Sequence, residues 1–193
     1  MKRNLILICL FLVLNFFSLN AQNTIGLKLA EAAFSLTKQQ VTYDPSYFVI
    51  PYPNGDVPSN KGVCTDVVIR TYRLLIIDLQ QLVHEDMKAN FKLYPKNWGL
   101  VQPDKNIDHR RVPNLMVYFK RHGKVKPITK NAADYSPGDI VCWHLGNGIT
   151  HIGIVSNIKS ADGKRYQIVH NIGAGQVLED CLLLFNIIGH YSY

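Results

Sequence analysis

Residues 136–157 read SPGDIVCWHLGNGITHIGIVSN. The Ser-Pro-Gly at the start is a turn signal, and two apolar runs follow it, Asp139–Leu145 and His151–Asn157. Short runs rich in β-branched residues, bounded by Gly, Asn and Pro, are typical of β-strands. The segment therefore predicts two strands of one sheet.

This sheet continues toward the C-terminus. Ala161-Asp162-Gly163 predicts a hairpin turn after the second strand, and Arg165–Asn171 predicts the strand that returns from it. Residues 182–193 predict one or two further strands. Because strands joined by short turns run antiparallel, we expect an antiparallel sheet.

Helical spacing dominates the chain before residue 136. Residues 24–38 predict an amphipathic helix whose buried face carries Leu27, Ala30, Phe34 and Thr37. Further helices are predicted to begin at Gly62-Val63-Cys64, to be capped by Asp78, and to run from Pro113 to Arg121 before Gly123. Helices followed by strands predict an α+β fold, with N-terminal helices packed on a C-terminal antiparallel sheet.

A proline-rich segment separates the first two predicted helices. Tyr43–Asn60 contains four prolines and Asn54-Gly55, which predict irregular structure. It also carries Tyr43, Tyr47, Phe48 and Tyr52. Loops rarely expose so many aromatic rings, so we expect this one to pack against the domain or to line a groove.

The N-terminus has the pattern of a secretory signal peptide. Lys2 and Arg3 precede an apolar run over Leu5–Leu19, and Ala21 offers a small residue for cleavage. We therefore expect residues 1–21 to be removed and residues 22–193 to form one exported domain, periplasmic or extracellular. The alternative is a retained anchor, for which the apolar run is short. We expect no span after cleavage.

Charge and composition exclude several classes of protein. The 193 residues are 47% hydrophobic and 18% charged, which argues against a disordered chain. The formal net charge is +7, and it stays positive after removal of Lys2 and Arg3. The basic residues are scattered rather than clustered, so we expect no nucleic-acid partner and favour an anionic surface or polymer. No pattern indicates an oligomeric state.

The cysteine count raises a question of redox state. Cys9 lies in the apolar run, so the mature chain would keep Cys64, Cys142 and Cys181. An odd number in an oxidising compartment leaves at least one free thiol. We expect Cys64 to be free, and Cys142 and Cys181 to be paired or buried.

Cys64 is the candidate nucleophile. At a helix N-terminus, the partial positive charge and free N–H groups stabilise a thiolate, and the same groups can hold an oxyanion. A buried structural cysteine or half a disulfide is the alternative interpretation.

Two histidines on the predicted hairpin are candidate partners for this thiol. His151 opens the run His151-Ile152-Gly153, and His170 ends the return strand. A hairpin turning at Asp162-Gly163 pairs residues whose numbers sum to about 325, which places His170 near residue 155. A bulge or register shift is then needed to bring the rings together. Taken alone, a histidine in such a position is more often a satisfied structural residue than a catalytic one.

The combination of these motifs resembles a known enzyme family. A cysteine at a helix start, Pro137–Val141, His151–Val155 and a strand ending in His170 resemble the NlpC-like cysteine peptidases, which have a papain-like fold and cut bacterial cell-wall peptides. An uncharacterised branch of that group is more similar still, through Gly62–Asp66, residues 83–87, residues 106–114 and residues 170–173. The resemblance implies Cys64 as nucleophile, His151 as base and His170 as the orienting residue. Asn171 is the alternative third residue.

Other residues are candidates for binding substrate. The segment Asp108-His109-Arg110-Arg111 could clamp carboxylates of a wall peptide, because Arg forks bind carboxylates in two-point contacts. An N-cap at Asp108 with a structural ion-pair network is the alternative. Asp66 could position a neighbouring group, and Trp143 could wall the groove or be a core aromatic.

Metal binding is the competing interpretation of the histidines. His144, His151, His170, His190 and Cys142 could cluster in space. The chain contains no HExxH and no paired CxxC, so we expect no metal and no cofactor.

These observations predict an exported cysteine hydrolase that cuts an amide bond in peptidoglycan peptide through a Cys64-His151-His170 triad. One alternative is a papain-fold amidase or acyltransferase acting on another substrate, including lipid. The other is a non-catalytic module that binds the cell wall.

Overall fold

The computed structural model describes residues 24–193. The predicted signal peptide, residues 1–21, lies outside them. Over the described residues the chain forms four α-helices: α1 (24–36), α2 (Cys64–Leu74), α3 (Leu79–Asn90) and α4 (Val112–His122). Single turns of 3₁₀-helix lie at Phe91–Leu93, Asp108–Arg110 and Ala132–Asp134.

Eight strands form two sheets in the described part of the chain. A short parallel pair joins β1 (Thr42–Tyr43) to β2 (Lys61–Gly62). The main sheet is antiparallel throughout, in the order β3-β8-β4-β5-β6-β7. Its strands are β3 (Lys124–Val125), β4 (Ile140–Gly146), β5 (Ile149–Lys159), β6 (Tyr166–His170), β7 (Val177–Glu179) and β8 (Asn186–Ser192). The predicted α+β fold with an antiparallel sheet is confirmed.

Alternation along the strands divides the core between the two faces of this sheet. Ile152 and Ile154 of β5 pack with the helices, including Val67 and Val68 of α2. Val155 of β5 belongs to a smaller cluster on the other face, with Val141, Trp143, Ile168, Cys181 and Leu182. Since successive strand residues point to opposite faces, β5 is buried on both. Helix α2 thus lies against the centre of the sheet.

The predicted ends of the helices are largely correct. Asp78 caps α3 by accepting from the Gln80 N–H, and Gly123 follows α4 directly. The predicted buried face of α1 is wrong in part, since Ala30 is buried as predicted and Phe34 and Thr37 are half-buried. Leu27 is exposed, and the buried residues are Leu29, Ala30, Ala33 and Leu36. Apolar residues occupy two adjacent stripes of this helix, and the one that carries two alanines faces the core.

The hairpin register differs from the predicted one. Ile154 pairs with Val169 and Val155 with Ile168, whereas Lys159 pairs with Tyr166 nearer the turn. An irregularity between Val155 and Lys159 makes this shift. Beyond it the strands slide by two residues, so His170 comes opposite Gly153 rather than residue 155. A bulge re-aims side chains in this way, and the register places His170 beside His151.

Several short strands were not predicted. β1, β2 and β3 are only two residues long and β7 is three, which is too short for an alternating pattern to stand out. None of the helices in residues 24–193 has the length and apolar content needed to cross a membrane.

Candidate active site

Cys64 is the first residue of α2, as its sequence position predicts. The N-cap is Val63, whose extended backbone turns the chain into the helix. Val63 cannot cap with its own side chain, so the Asp66 carboxylate accepts the Val63 N–H at 2.7 Å. Cys64 is a free thiol and only 7% exposed.

The thiol faces backbone amides from two elements. Burial raises the pKa of Cys64 to about 12, although the N–H groups of Ile152, Thr65 and Cys64 itself point toward the sulfur and lower that pKa in part. The expected stabilisation by the helix N-terminus is therefore present, but burial outweighs it. Ile152 directly follows His151, so the sulfur lies against the peptide bond that joins the base candidate to its neighbour.

His151 and His170 are in direct contact. Nε2 of His151 lies 2.8 Å from Nδ1 of His170, and both rings are buried. Asn171, the alternative third residue, points elsewhere: its side-chain amide donates to the Gly62 carbonyl at 3.1 Å. The structure thus pairs His170 with His151, and uses Asn171 to hold the backbone that leads into Cys64.

Glu179 extends this pair into a chain of three residues. Its Oε2 lies 2.8 Å from Nε2 of His170, and its side chain is 54% exposed. A carboxylate only accepts hydrogen bonds, so Nε2 of a neutral His170 carries the proton and Nδ1 accepts from Nε2 of His151. This assignment leaves the lone pair of His151 on Nδ1, which is the form that can take a proton.

Burial keeps both histidines neutral. It lowers the pKa of His151 to about 3, with a smaller contribution from electrostatic interaction with His170, which opposes a positive charge on both rings. It also lowers the pKa of His170, against the opposing effect of Glu179. At neutral pH the site therefore contains a neutral thiol and two neutral imidazoles. Among the described residues, no hydrogen bond joins Cys64 to either ring.

Trp143 is a core residue rather than the wall of an open groove. It is fully buried, its indole N–H donates to the Leu182 carbonyl at 3.0 Å, and its ring centroid lies 5.8 Å from that of His151. Trp143 pairs directly with His151 across β4 and β5. Its role is to hold the His151 ring by packing, which corrects its assignment to substrate binding.

Asp66 and Arg110 form a buried ion pair behind the thiol. The Arg110 guanidinium donates from Nε to Oδ1 of Asp66 at 2.9 Å and from Nη2 to Oδ2 at 3.1 Å. Arg110 also donates to the Ser46 carbonyl, and its own carbonyl accepts from the Thr65 hydroxyl. Both carboxylate oxygens of Asp66 are thus occupied, so the pair fixes the start of α2 instead of binding substrate.

The rest of the predicted substrate clamp is also largely internal. Asp108 and His109 are buried, and burial raises the pKa of Asp108 to about 6 and lowers that of His109 to about 3. Asp108 accepts the Asp104 N–H at 2.5 Å. Arg111 is half-buried with its guanidinium 4.0 Å from the Trp98 ring centroid. The ion-pair and turn interpretation fits this segment, and the clamp interpretation is corrected for its buried members.

The three thiols of the described chain are free and buried. Cys142 belongs to the helix side of the core and Cys181 to the opposite face of the sheet. This excludes the Cys142–Cys181 disulfide in this structure and agrees with the expectation that both are buried. Cys181 lies beside the site, with Sγ 3.7 Å from Nε2 of His170.

Sequence reasoning missed Glu179 as a neighbour of the site, and it did not single out Tyr43 from the other aromatic residues of the proline-rich segment. Glu179 lies on β7, and only the Gly173–Gly175 turn followed by Val177-Leu178-Glu179 could have indicated a returning strand. Tyr43 lies on β1, which pairs with Gly62 just before Cys64. Burial raises the pKa of Tyr43, and the nearby Cys64 and Asp66 raise it further. The proline-rich segment thus packs beside the site.

One group of metal-ligand residues occurs in the described chain: His170, Glu179 and Cys181. Of the five residues that the sequence suggested as a metal cluster, only His170 belongs to it.

The fold and site define an α+β protein with a cysteine at a helix start and a His-His-Glu chain on its sheet. The chain belongs to the family described as "Domain of unknown function (DUF1287)", which matches residues 30–193. It is 51% identical over 172 residues to "Uncharacterized protein YijF" of Escherichia coli (strain K12), covering 89% of this chain and 83% of the relative. No solved structure matches it.

Proposed function

We propose that this protein is a cysteine hydrolase that cuts an amide bond in peptidoglycan peptide. One observation carries the proposal: the 2.8 Å contact between His151 and His170, on a strand whose Ile152 N–H faces the Cys64 thiol. A nucleophile, a base and a group that orients the base are the parts that acyl transfer requires. The resemblance to NlpC-like peptidases adds the papain-like fold and the wall-peptide substrate.

The chemistry uses each residue in one role. The Cys64 thiol gives its proton to Nδ1 of His151 as the sulfur attacks the amide carbonyl carbon. N–H groups at the start of α2 bind the oxyanion of the tetrahedral intermediate. His151 then protonates the leaving amine, the carbon–nitrogen bond breaks, and a thioester remains on Cys64. His151 takes a proton from water as the hydroxide attacks the thioester carbon. The carbon–sulfur bond then breaks, the acid leaves, and His151 returns the proton to the Cys64 sulfur.

The wall substrate and the exported location are parts of the same proposal. They are supported by the signal-peptide pattern of residues 1–21 and by the positive net charge, which suits an anionic polymer. If the thioester passed to an amine or alcohol instead of water, the same residues would make an acyltransferase.

Digestion of purified peptidoglycan tests this function. The wild-type protein is expected to release fragments in which one amide has been hydrolysed, identified by mass. Cys64→Ser and His151→Ala are expected to release none. Cys142→Ala, which removes the neighbouring thiol on β4 and leaves Cys64, His151 and His170 in place, is the matched control and is expected to remain active.

A second candidate, a non-catalytic wall-binding module, is favoured by the burial of Cys64 and the missing bond to His151. For that candidate, sedimentation with insoluble peptidoglycan would be equal for wild type and Cys64→Ser, and neither would release fragments. That result would overturn the hydrolase.

A further inference from the structure

Three side chains of different chemistry lie close together at the solvent end of the hydrogen-bonded series His151–His170–Glu179. Nε2 of His170, a carboxylate oxygen of Glu179 and Sγ of Cys181 all lie within 4.8 Å of one another. His170 and Cys181 are buried, whereas the Glu179 side chain is 54% exposed. Two of the three side chains therefore lie in the core, and the third is accessible to solvent.

An imidazole, a thiol and a carboxylate together form a donor set suited to zinc. Hard cations such as Ca²⁺ and Mg²⁺ prefer sites made of oxygen, whereas Zn²⁺ takes sulfur, nitrogen and oxygen in tetrahedral geometry. In a tetrahedral site the zinc–sulfur bond is about 2.3 Å long and the zinc–nitrogen bond about 2.05 Å. The sulfur and nitrogen atoms then lie about 3.6 Å from each other. The distance between Sγ of Cys181 and Nε2 of His170 is 3.7 Å.

We propose that His170, Glu179 and Cys181 form a binding site for Zn²⁺. The metal displaces to solvent the proton that Nε2 of His170 donates to Glu179, and the Cys181 thiol also releases its proton to solvent. Glu179 is the exposed member, so it can move outward by the small distance that a metal–oxygen bond requires. The fourth coordination position is open to water.

Occupation of this site has a consequence for the base, which rests on the proposed function. With metal on Nε2, a neutral His170 carries its proton on Nδ1 and donates it to Nε2 of His151. His151 passes its Nε2 proton to His170 and takes one from solvent on Nδ1, the nitrogen that would have to accept the thiol proton of Cys64. Zinc thus reverses both tautomers and switches the base off without contacting Cys64.

Cobalt titration tests the binding site without any activity measurement. Co²⁺ replaces Zn²⁺ in tetrahedral sites, and a Co²⁺–thiolate bond gives a near-ultraviolet charge-transfer band. The reduced, metal-free protein and Cys64→Ser are both expected to develop this band, and added Zn²⁺ is expected to remove it. Cys181→Ser is expected to lose the band, and Glu179→Gln to weaken Zn²⁺ binding by about tenfold or more.

The proposed site is overturned if the wild-type protein develops no band, or if the band survives Cys181→Ser and disappears in Cys64→Ser. Hydrolysis of peptidoglycan, measured in parallel, separates this failure from failure of the proposed function. A cobalt band without hydrolysis would support the metal site and contradict the hydrolase function. Hydrolysis without a band would support the hydrolase function and contradict the metal site.

Inhibition tests the tautomer mechanism. Each variant's rate with Zn²⁺ is compared with its own metal-free rate. Wild type is expected to be inhibited at the Zn²⁺ concentrations that displace Co²⁺, and a chelator is expected to restore activity. Cys181→Ser is expected to lose this inhibition. Zinc bound without any fall in rate would overturn the reversal of the tautomers.

Discussion

Nε2 of His151 lies 2.8 Å from Nδ1 of His170. This contact gives the two rings opposite roles, because one nitrogen must donate and the other accept. The direction is set from outside the pair, since Glu179 accepts at 2.8 Å from the far nitrogen of His170. An exposed carboxylate thereby determines which nitrogen of the buried His151 imidazole carries the proton and which keeps its lone pair.

Glu179→Gln tests this control of the tautomer. A Gln side chain can donate as well as accept, so it no longer imposes the direction of the two bonds. We expect kcat/KM for peptidoglycan peptide to fall by about tenfold, which corresponds to the free-energy contribution of one charge-assisted hydrogen bond. The ¹⁵N shifts of the His151 ring, which distinguish the two tautomers, are expected to move toward the Nδ1–H form.

Glu85→Gln is the matched control for the Glu179 change. Glu85 is an exposed acid on α3 that accepts from Gln81 on the same helix. For the Glu85→Gln protein, kcat/KM and the ¹⁵N shifts of the His151 ring are expected to equal those of wild type. A Glu179→Gln protein with unchanged ring shifts would show that the carboxylate does not set the tautomer.

The pH–rate profile depends on the burial of His151. Burial lowers the pKa of His151 to about 3, so the neutral base persists well below the ordinary histidine value of 6.5. As pH falls, activity is lost only when this group takes up a proton. With an uncharged substrate, we expect the acidic limb of kcat/KM to lie below about pH 5. An acidic limb near pH 6.5 would contradict a buried, neutral His151.

Removal of Asp66 is expected to destabilise the fold around the start of α2. Asp66→Ala leaves the buried Arg110 guanidinium without its partner, which typically costs about 3–5 kcal/mol of unfolding free energy. The matched control is Asp180→Ala, which breaks an ion pair with Arg165 whose side chains are 34% and 31% exposed. That change is expected to cost about 1 kcal/mol or less. Urea denaturation measures both, and equal losses would contradict the structural role of the buried pair.

Gly153 provides the space in which the two histidines meet. A Cβ at this position would lie 2.6 Å from Cγ2 of Ile168 and 3.1 Å from Cβ of His170. The adjacent strand β6 fills the space beside this glycine. Gly153→Ala is expected to cost about 1–3 kcal/mol by overpacking.

A double-mutant cycle identifies the source of that cost. Ile168→Ala removes the closest clashing atom, so the double variant Gly153→Ala/Ile168→Ala is expected to lose less unfolding free energy than the two single changes added together. Strict additivity in urea denaturation would show that Ile168 is not the neighbour that excludes a side chain.

Local patterns predicted the parts of the site that lie on well-marked elements. Cys64 at a helix start, Asp78 as a cap and the two histidines on a hairpin follow from spacing and turn residues alone. These features are encoded by a few neighbouring residues, so a single sequence shows them.

Long-range contacts determine the parts of the site that local patterns did not predict. The bulge between Val155 and Lys159 sets the histidine contact, yet no residue type in that stretch marks it. Arg110 and Asp66 are 44 positions apart, and only the folded chain shows that each neutralises the other. Glu179 lies on a strand of three residues, which is too short to give a periodic signal.

Detection of the acyl-enzyme tests the central claim most directly. Wild-type protein is mixed with soluble peptidoglycan fragments, quenched in acid during turnover, and analysed by intact and peptide mass. The account predicts a peptide acyl group in thioester linkage on Cys64, absent from Cys64→Ser and strongly reduced in His151→Ala. Fragment cleavage with no adduct on Cys64, or cleavage that persists in Cys64→Ser, would contradict it.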